Sequence, residues 1–306
     1  MSIQRNKLNI GKARRRVRMR SALLLTLGAC YVMAFYRMIN TLNGMGIIWP
    51  THVFGLLLEA LVTVIAFGGG SYLGLCVLDG DQRRMIPRRV LSCAQTLWLL
   101  LLGVLLVSPV TLGADLLDRI LRPQWAVVQP LRLDAHAPGV FLLTVLKSAL
   151  LVPALEELFF RGYLLGALER FGSRRAALVS ALCFAVVHMG GKGGSAYICL
   201  MYAAMGLLLA ALYLRTGSLL APVLVHAGYN LTLILLSYMG LGWFFENLTL
   251  ISCALRLLLC AAGVYCLRRA WAAKGVQAQM QPMEKLTKKE LALVIAAVVA
   301  VLAVSV

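Results

Sequence analysis

Nine runs of apolar residues alternate with polar segments along this 306-residue chain, near 21–39, 52–78, 90–113, 138–168, 175–190, 195–214, 218–240, 249–267 and 290–306. A helix needs about 20 mostly apolar residues to cross the hydrocarbon core of a bilayer. The pattern therefore predicts an all-α protein, a polytopic transmembrane helix bundle of about eight or nine spans. The fifth run is short and the ninth holds only 17 residues, so those two fit a crossing least well. A basic arm occupies 1–20, and the main membrane domain is expected over 21–267. Its outer loop, 114–137, has mixed charge and two prolines, and a basic linker at 268–289 sets the last apolar helix, 290–306, apart.

Composition agrees with the pattern. The chain is 61% hydrophobic with a mean hydropathy of +0.84, more apolar surface than a soluble domain can bury. All eight cysteines lie in apolar runs without metal-finger or secreted-framework spacing, so they read as small packing residues with no disulfide. The first run follows basic residues as a signal sequence does. It lacks a convincing small-x-small cleavage site, and an uncleaved anchor is expected.

The net charge of +18 would suggest nucleic acid in a soluble protein. Here its distribution follows the positive-inside rule. With the N-terminus in the cytoplasm, 22 of the 30 Lys and Arg fall on the inner side. These are eight in the arm, Arg83, Arg84, Arg88, Arg89, Arg170, Arg174, Arg175, Arg215 and six in the linker. The other side holds Arg37, Arg119, Arg122, Arg132 and Lys192. The asymmetry supports nine spans with the C-terminus outside. Basic residues near the surface attract anionic headgroups at about 1 kcal/mol each. Membrane lipids are thus expected partners, nucleic acid is not, and the expected location is the cell membrane (the cytoplasmic membrane if the source is bacterial).

Charges within the apolar runs carry the chemistry. The fourth run reads LKSALLVPALEELFFRGYLLGAL, with Glu156, Glu157 and Arg161 inside it. Each charge at a helix centre costs roughly 2.5–3.5 kcal/mol to insert, which points to function. Glu157 and Arg161 are four apart, share a face and are expected to form an ion pair. Glu156 lies about 100° around the helix and faces elsewhere. Lys147, nine residues before Glu156, is expected to snorkel to the outer interface. Arg256 is expected to snorkel or to pair with Glu246 or a core carboxylate. Gly68-Gly69-Gly70 suggests close helix packing, and Gly190–Gly194 suggests an outer turn after His188.

The fourth and fifth runs join at Gly172-Ser173. Glu156 lies 16 residues before Gly172 and His188 lies 16 after it, so an antiparallel hairpin puts both at one depth. Phe184 shares the face of His188 and is placed to pack on its ring. His226 and Asn230 share a face of the seventh run, with Pro222 expected to kink that helix. A carboxylate with a histidine can activate water as a general base. A second histidine with an amide can donate to the oxyanion formed when water adds to a peptide carbonyl. Taken singly, each of these residues also fits a structural role as a hydrogen-bonded contact between helices.

These residues fall into three ordered motifs, EELFFR at 156–161, FAVVH at 184–188 and HAGYN at 226–230. In order, spacing and placement they resemble E-E-x-x-x-R, F-x-x-x-H and H-x-x-x-N of the CAAX protease and bacteriocin-processing (CPBP, or Abi) family of intramembrane peptidases. The resemblance covers a motif core of about 138–240. It implies a helical peptidase domain with its active site within the membrane. Glu156 would be the base that activates water, with His188 helping to hold that water. His226 and Asn230 would form the oxyanion hole, supported by Glu157, Arg161 and Phe184. Members have been described as metalloproteases. If a divalent metal such as zinc is present, Glu156, His188 and His226 would be its ligands, but no H-E-x-x-H pattern stands here and no cofactor is firmly predicted.

The expected function is an intramembrane endopeptidase acting on a membrane-associated peptide or protein. The alternative is a non-catalytic immunity or scaffold protein that retains the motif residues. A transporter with a Glu156, His188 and His226 proton relay is disfavoured, since no internal repeat is found.

Overall fold

The computed structural model describes residues 53–77, 89–121, 138–168, 172–189, 196–241 and 249–272, with isolated helical positions at 28, 31, 32 and 42. The arm, the runs at 290–306 and most of 21–39, the turn at 190–194, Glu246 and most of the 268–289 linker lie outside the described residues. Among those described, seven helical runs and no strand are found. We number them α1 Val53–Val77, α2 Cys93–Leu121, α3 Pro138–Leu168, α4 Ser173–Met189, α5 Ala196–Thr216, α6 Leu220–Tyr238 and α7 Leu250–Ala272. They coincide with the second to eighth apolar runs. Five are long and apolar enough to cross a membrane: α2 over Cys93–Gly113, α1 over Val53–Cys76, and α3, α6 and α7 over their whole lengths.

Two boundaries differ from expectation. Helix α2 continues to Leu121, so the first residues of the outer loop are helical. Nothing in ADLLDRIL stops a helix, and the first proline beyond it is Pro123. Helix α7 likewise runs into the basic linker as far as Ala272. The α3–α4 and α5–α6 connections are short in sequence, and each holds a glycine at positive φ, Gly172 at 103° and Gly217 at 63°. Only glycine reaches that backbone region without a Cβ penalty. Pro222 does not kink α6. It occupies the third position of that helix, within the first turn, where a missing N–H deprives no intrahelical acceptor.

The bundle has two packing centres. One joins α3, α4 and α5 with α1 around Phe67, Phe159, Phe160, Tyr163, Phe184 and Tyr213. The other joins α2, α5, α6 and α7 around Leu99, Leu102, Leu209, Leu212, Val225 and Cys266. Large apolar side chains such as Phe54, Leu57, Leu146, Leu182, Leu257 and Leu258 point outward, as lipid-facing positions do. Lipid tails are as apolar as these side chains, so helix association rests on close packing of small residues. At the α2–α6 crossing a Cβ on Gly103 would sit 2.3 Å from the Val225 carbonyl oxygen, and one on Gly228 2.9 Å from that of Leu100. At the α4–α5 crossing a Cβ on Gly206 would lie 2.9 Å from the Ala181 Cα. Gly70 packs similarly under Phe159, in keeping with the packing role read for the glycine triplet.

Lys147 is settled differently from expectation, and for Arg256 one of the two expected roles falls away. Lys147 does not snorkel: its Nζ donates to the Glu59 carboxylate across the α1–α3 contact, and both side chains are mostly buried. An opposite charge at the same depth removes the need to reach the interface. Arg256 is fully buried in α7, so it does not snorkel either. Its backbone carbonyl accepts the Ser108 hydroxyl at 3.1 Å, tying α7 to α2.

The crossings make a direct prediction. Gly103→Val places a side chain against backbone that cannot move aside. We expect it to lower the thermal unfolding midpoint of the detergent-purified protein by several degrees, overpacking costing about 1–3 kcal/mol or more. Gly166, where a Cβ meets nothing within 4 Å, is the control, and Gly166→Ala should leave the midpoint unchanged or raised. Equal effects at the two positions would show that the α2–α6 contact is not the tight one.

Candidate active site

The site is built on four helices. Helix α3 carries Glu156, Glu157 and Arg161, α4 carries Phe184 and His188, α5 carries Tyr202 and Gly206, and α6 carries His226 and Asn230. Local structure on α3 is unusual. Two π-helical stretches, Leu146–Leu151 and Leu158–Leu165, flank a short α segment, Val152–Glu157, that ends on the two glutamates. Such wide turns are rare in ordinary helices and are frequent at functional sites.

Glu157 and Arg161 form the expected ion pair, with Nη1 donating to Oε1 at 2.9 Å and both side chains at 0% exposure. The pair is not isolated. Arg161 Nη2 donates to the Gly206 carbonyl at 3.0 Å, and its guanidinium lies 4.7 Å from the Phe184 ring centroid. The same Glu157 Oε1 accepts His226 Nδ1 at 3.0 Å. A buried Arg needs several acceptors at fixed angles, and α5 meets part of that need with a backbone oxygen.

Glu156 is buried at 3% exposure and faces two imidazoles. Its Oε2 lies 3.7 Å from His188 Nε2 and 3.9 Å from His226 Nε2. The equal-depth argument from the sequence is therefore met in space. Each imidazole is oriented from its far side. His188 Nδ1 lies 2.7 Å from the Phe184 carbonyl, an acceptor only, so Nδ1 carries a proton and Nε2 is the nitrogen turned toward Glu156. His226 Nδ1 is assigned as the donor to Glu157 by the same argument, which also leaves Nε2 toward Glu156. These separations exceed a direct hydrogen bond, and a third polar atom such as a water oxygen can be held between such groups.

The His188 ring is clamped. Phe184 packs at 4.4 Å between centroids, and Tyr202 stacks on it at 4.2 Å with planes 23° apart. Phe184 also meets His226 edge-on at 5.8 Å, so one aromatic ring touches both histidines and the Arg161 guanidinium. Asn230 donates from Nδ2 to the Ser148 carbonyl at 2.9 Å. Among the described residues no group of three His, Cys, Asp or Glu side chains has the mutual placement of a metal centre.

Six of the residues singled out from sequence, Glu156, Glu157, Arg161, Phe184, His188 and His226, thus meet in one cluster, and Asn230 stands one turn along α6 from His226 on the Ser148 carbonyl. Sequence reasoning missed the Glu157–His226 bond, the Tyr202 stack, and the Gly206 and Ser148 carbonyls. Tyr202 had no signal beyond being an aromatic in an apolar run, and backbone acceptors carry none at all. Glu59 did carry one, as the lone acid in its run.

Comparison with known proteins falls on this same stretch. Residues 138–232 match the family model described as type II CAAX prenyl endopeptidase Rce1-like. Over 89 residues, 29% of this chain and 34% of the relative, the sequence is 36% identical to the protein named "Putative membrane peptidase YdiL" from Bacillus subtilis (strain 168). The chain thus covers about a third of the length of that relative. No solved structure matches. Residues 138–232, which hold Glu156, Glu157, Arg161, His188, His226 and Asn230, are thus the stretch of this multi-pass membrane protein that is similar to the Rce1-like family.

Proposed function

We propose that this protein is an intramembrane endopeptidase of the cell membrane that hydrolyses a peptide bond of a membrane-associated peptide or protein. The observation that carries the reading is the convergence of Glu156 Oε2 with His188 Nε2 and His226 Nε2, at 3.7 and 3.9 Å, inside an apolar bundle. Two features give that convergence a chemical direction. His188 is held with Nε2 toward Glu156, and as a neutral imidazole it and Glu156 can accept the two hydrogen bonds of one water. His226 sits between two carboxylates, the counter-charge it needs if it is to carry a second proton on Nε2 and donate it.

The reaction then runs in two steps. The water oxygen attacks the scissile carbonyl carbon as its proton passes to Glu156 Oε2, and the carbonyl π electrons move onto oxygen. His226 Nε2–H and the amide of Asn230 donate to that oxyanion, at the point where preorganised donors act most strongly. Collapse of the tetrahedral intermediate breaks the C–N bond, and the leaving nitrogen takes the proton from Glu156. One product leaves as an amine and the other forms as a carboxylic acid, whose remaining proton passes to His188 Nε2 as the carboxylate departs. Glu157 and Arg161 touch no reacting atom in this scheme: Glu157 fixes the ring and charge of His226, and Arg161 offsets the charge of Glu157. Basic side chains and carboxylates thus alternate along Arg161, Glu157, His226 and Glu156, which suits a low-dielectric site.

Two predictions separate chemistry from folding. Glu156→Gln preserves shape and removes the base. It should leave abundance and thermal stability near wild type while cleavage falls by at least ~10²-fold. The check is a mass-spectrometric comparison of membrane-protein termini in cells holding equal amounts of each form, where termini seen only with wild type also identify the substrate. Unchanged termini would move the reading to an immunity or scaffold protein. Glu157→Ala should behave differently. It strands a buried Arg161, at a cost of about 3–5 kcal/mol, so the folded protein recovered from membranes should drop sharply. Full recovery of folded Glu157→Ala protein would mean that the pair does not hold the bundle together.

A further inference from the structure

Pro153 lies three residues before Glu156, and the hydrogen-bond accounting around it reaches Asn230 on another helix. In the π stretch that precedes it, the Val152 N–H donates to the Lys147 carbonyl, five residues back. An ordinary α-helix would have sent that N–H to the Ser148 carbonyl instead. The next donor in the π series, at position 153, would also reach Ser148, but proline has no N–H. Both backbone amides that normally satisfy the Ser148 carbonyl are therefore withdrawn from it, one by geometry and the other by chemistry. A half-buried carbonyl left in that state costs free energy inside a membrane. Asn230 Nδ2 meets it at 2.9 Å.

The consequence falls on the amide. Ser148 offers an acceptor, so the nitrogen of Asn230 must face it, which settles the orientation of the side chain. With one Nδ2–H fixed on α3, the plane of the amide is fixed, and so are the directions of its second N–H and its oxygen. We propose that Pro153 is a positioning residue. By freeing the Ser148 carbonyl, it makes α3 the mould that orients Asn230 toward the site. This rests on the reading of Asn230 as an oxyanion donor for its catalytic consequence, though not for the contact itself.

Pro153→Ala tests the idea. It restores an N–H inside a helix, which favours helical folding, and gives Ser148 or Ala149 a backbone donor again. The chain has six asparagines, so selective 15N-asparagine labelling of the full-length protein in nanodiscs gives few side-chain NH2 pairs, and Asn230→Gln identifies the pair of interest by its loss. In wild type, one Asn230 Nδ2 proton should be shifted downfield and slow to exchange; in Pro153→Ala that shift should be lost. Asn230 signals that do not change on Pro153→Ala would overturn the proposal whatever the activity. The second arm measures cleavage. Misorientation of a donor should lower kcat on the order of 10- to 100-fold with KM little changed. The Pro153→Ala, Asn230→Ala double variant should be no slower than Asn230→Ala alone. Additive losses would also overturn the proposal, since Pro153 would then act by another route. If instead the NMR change appears and Asn230→Ala keeps full activity, the contact stands and the oxyanion role of Asn230 is what fails.

Discussion

Arg161 cannot sit where it does without Glu157. A guanidinium at 0% exposure inside an apolar bundle is tolerable only when opposite charge and hydrogen-bond acceptors are held against it. Glu157 supplies the charge, the Gly206 carbonyl supplies a second acceptor, and the Phe184 face covers the cation. Those partners come from α3, α5 and α4. One buried cation therefore holds three helices in a fixed relation, and Glu157 extends the network to α6 through His226.

That network also explains why close helix crossings occur where they do. Gly206 has to bring its backbone near Arg161 while α5 lies tight against Ala181 of α4, an approach that any side chain at 206 would block. Gly228, two residues after His226 and two before Asn230, lets α6 press on α2 at Gly103. Backbone-to-backbone packing leaves α6 little room to rotate or slide. For a site whose geometry depends on separations of 3 to 4 Å between helices, such rigidity matters more than the sum of the contacts. The irregular backbone of α3 is confined to the same region, where the neighbouring helices can satisfy the groups it exposes.

Much of this was legible in the residues. Seven described helices follow the apolar runs because hydrophobic length is set by bilayer thickness. The turn at Gly172 follows because only glycine takes the left-handed conformation freely. Glu157 with Arg161 follows from i, i+4 geometry, and Glu156 with His188 from equal rise on either side of a tight turn. Where prediction went astray, the missing information was three-dimensional. Lys147 was assigned to the interface because its partner, Glu59, lies 88 residues away on another helix. Pro222 was assigned a kink because the helix start at Leu220 was not known to within two residues.

The sequence by itself determined which residues are ionisable, where along its helix each lies, and which face of its own helix each occupies, since these depend on composition, rise and twist alone. It also determined the likeness of residues 138–232 to the Rce1-like family. Only the tertiary structure decided which helices are neighbours, and with that the shared role of Glu157 Oε1, the stack of Tyr202 on His188, and the use of the Gly206 and Ser148 carbonyls. Every residue carries the same backbone oxygen, so no sequence pattern marks the one that a distant Arg or Asn will find.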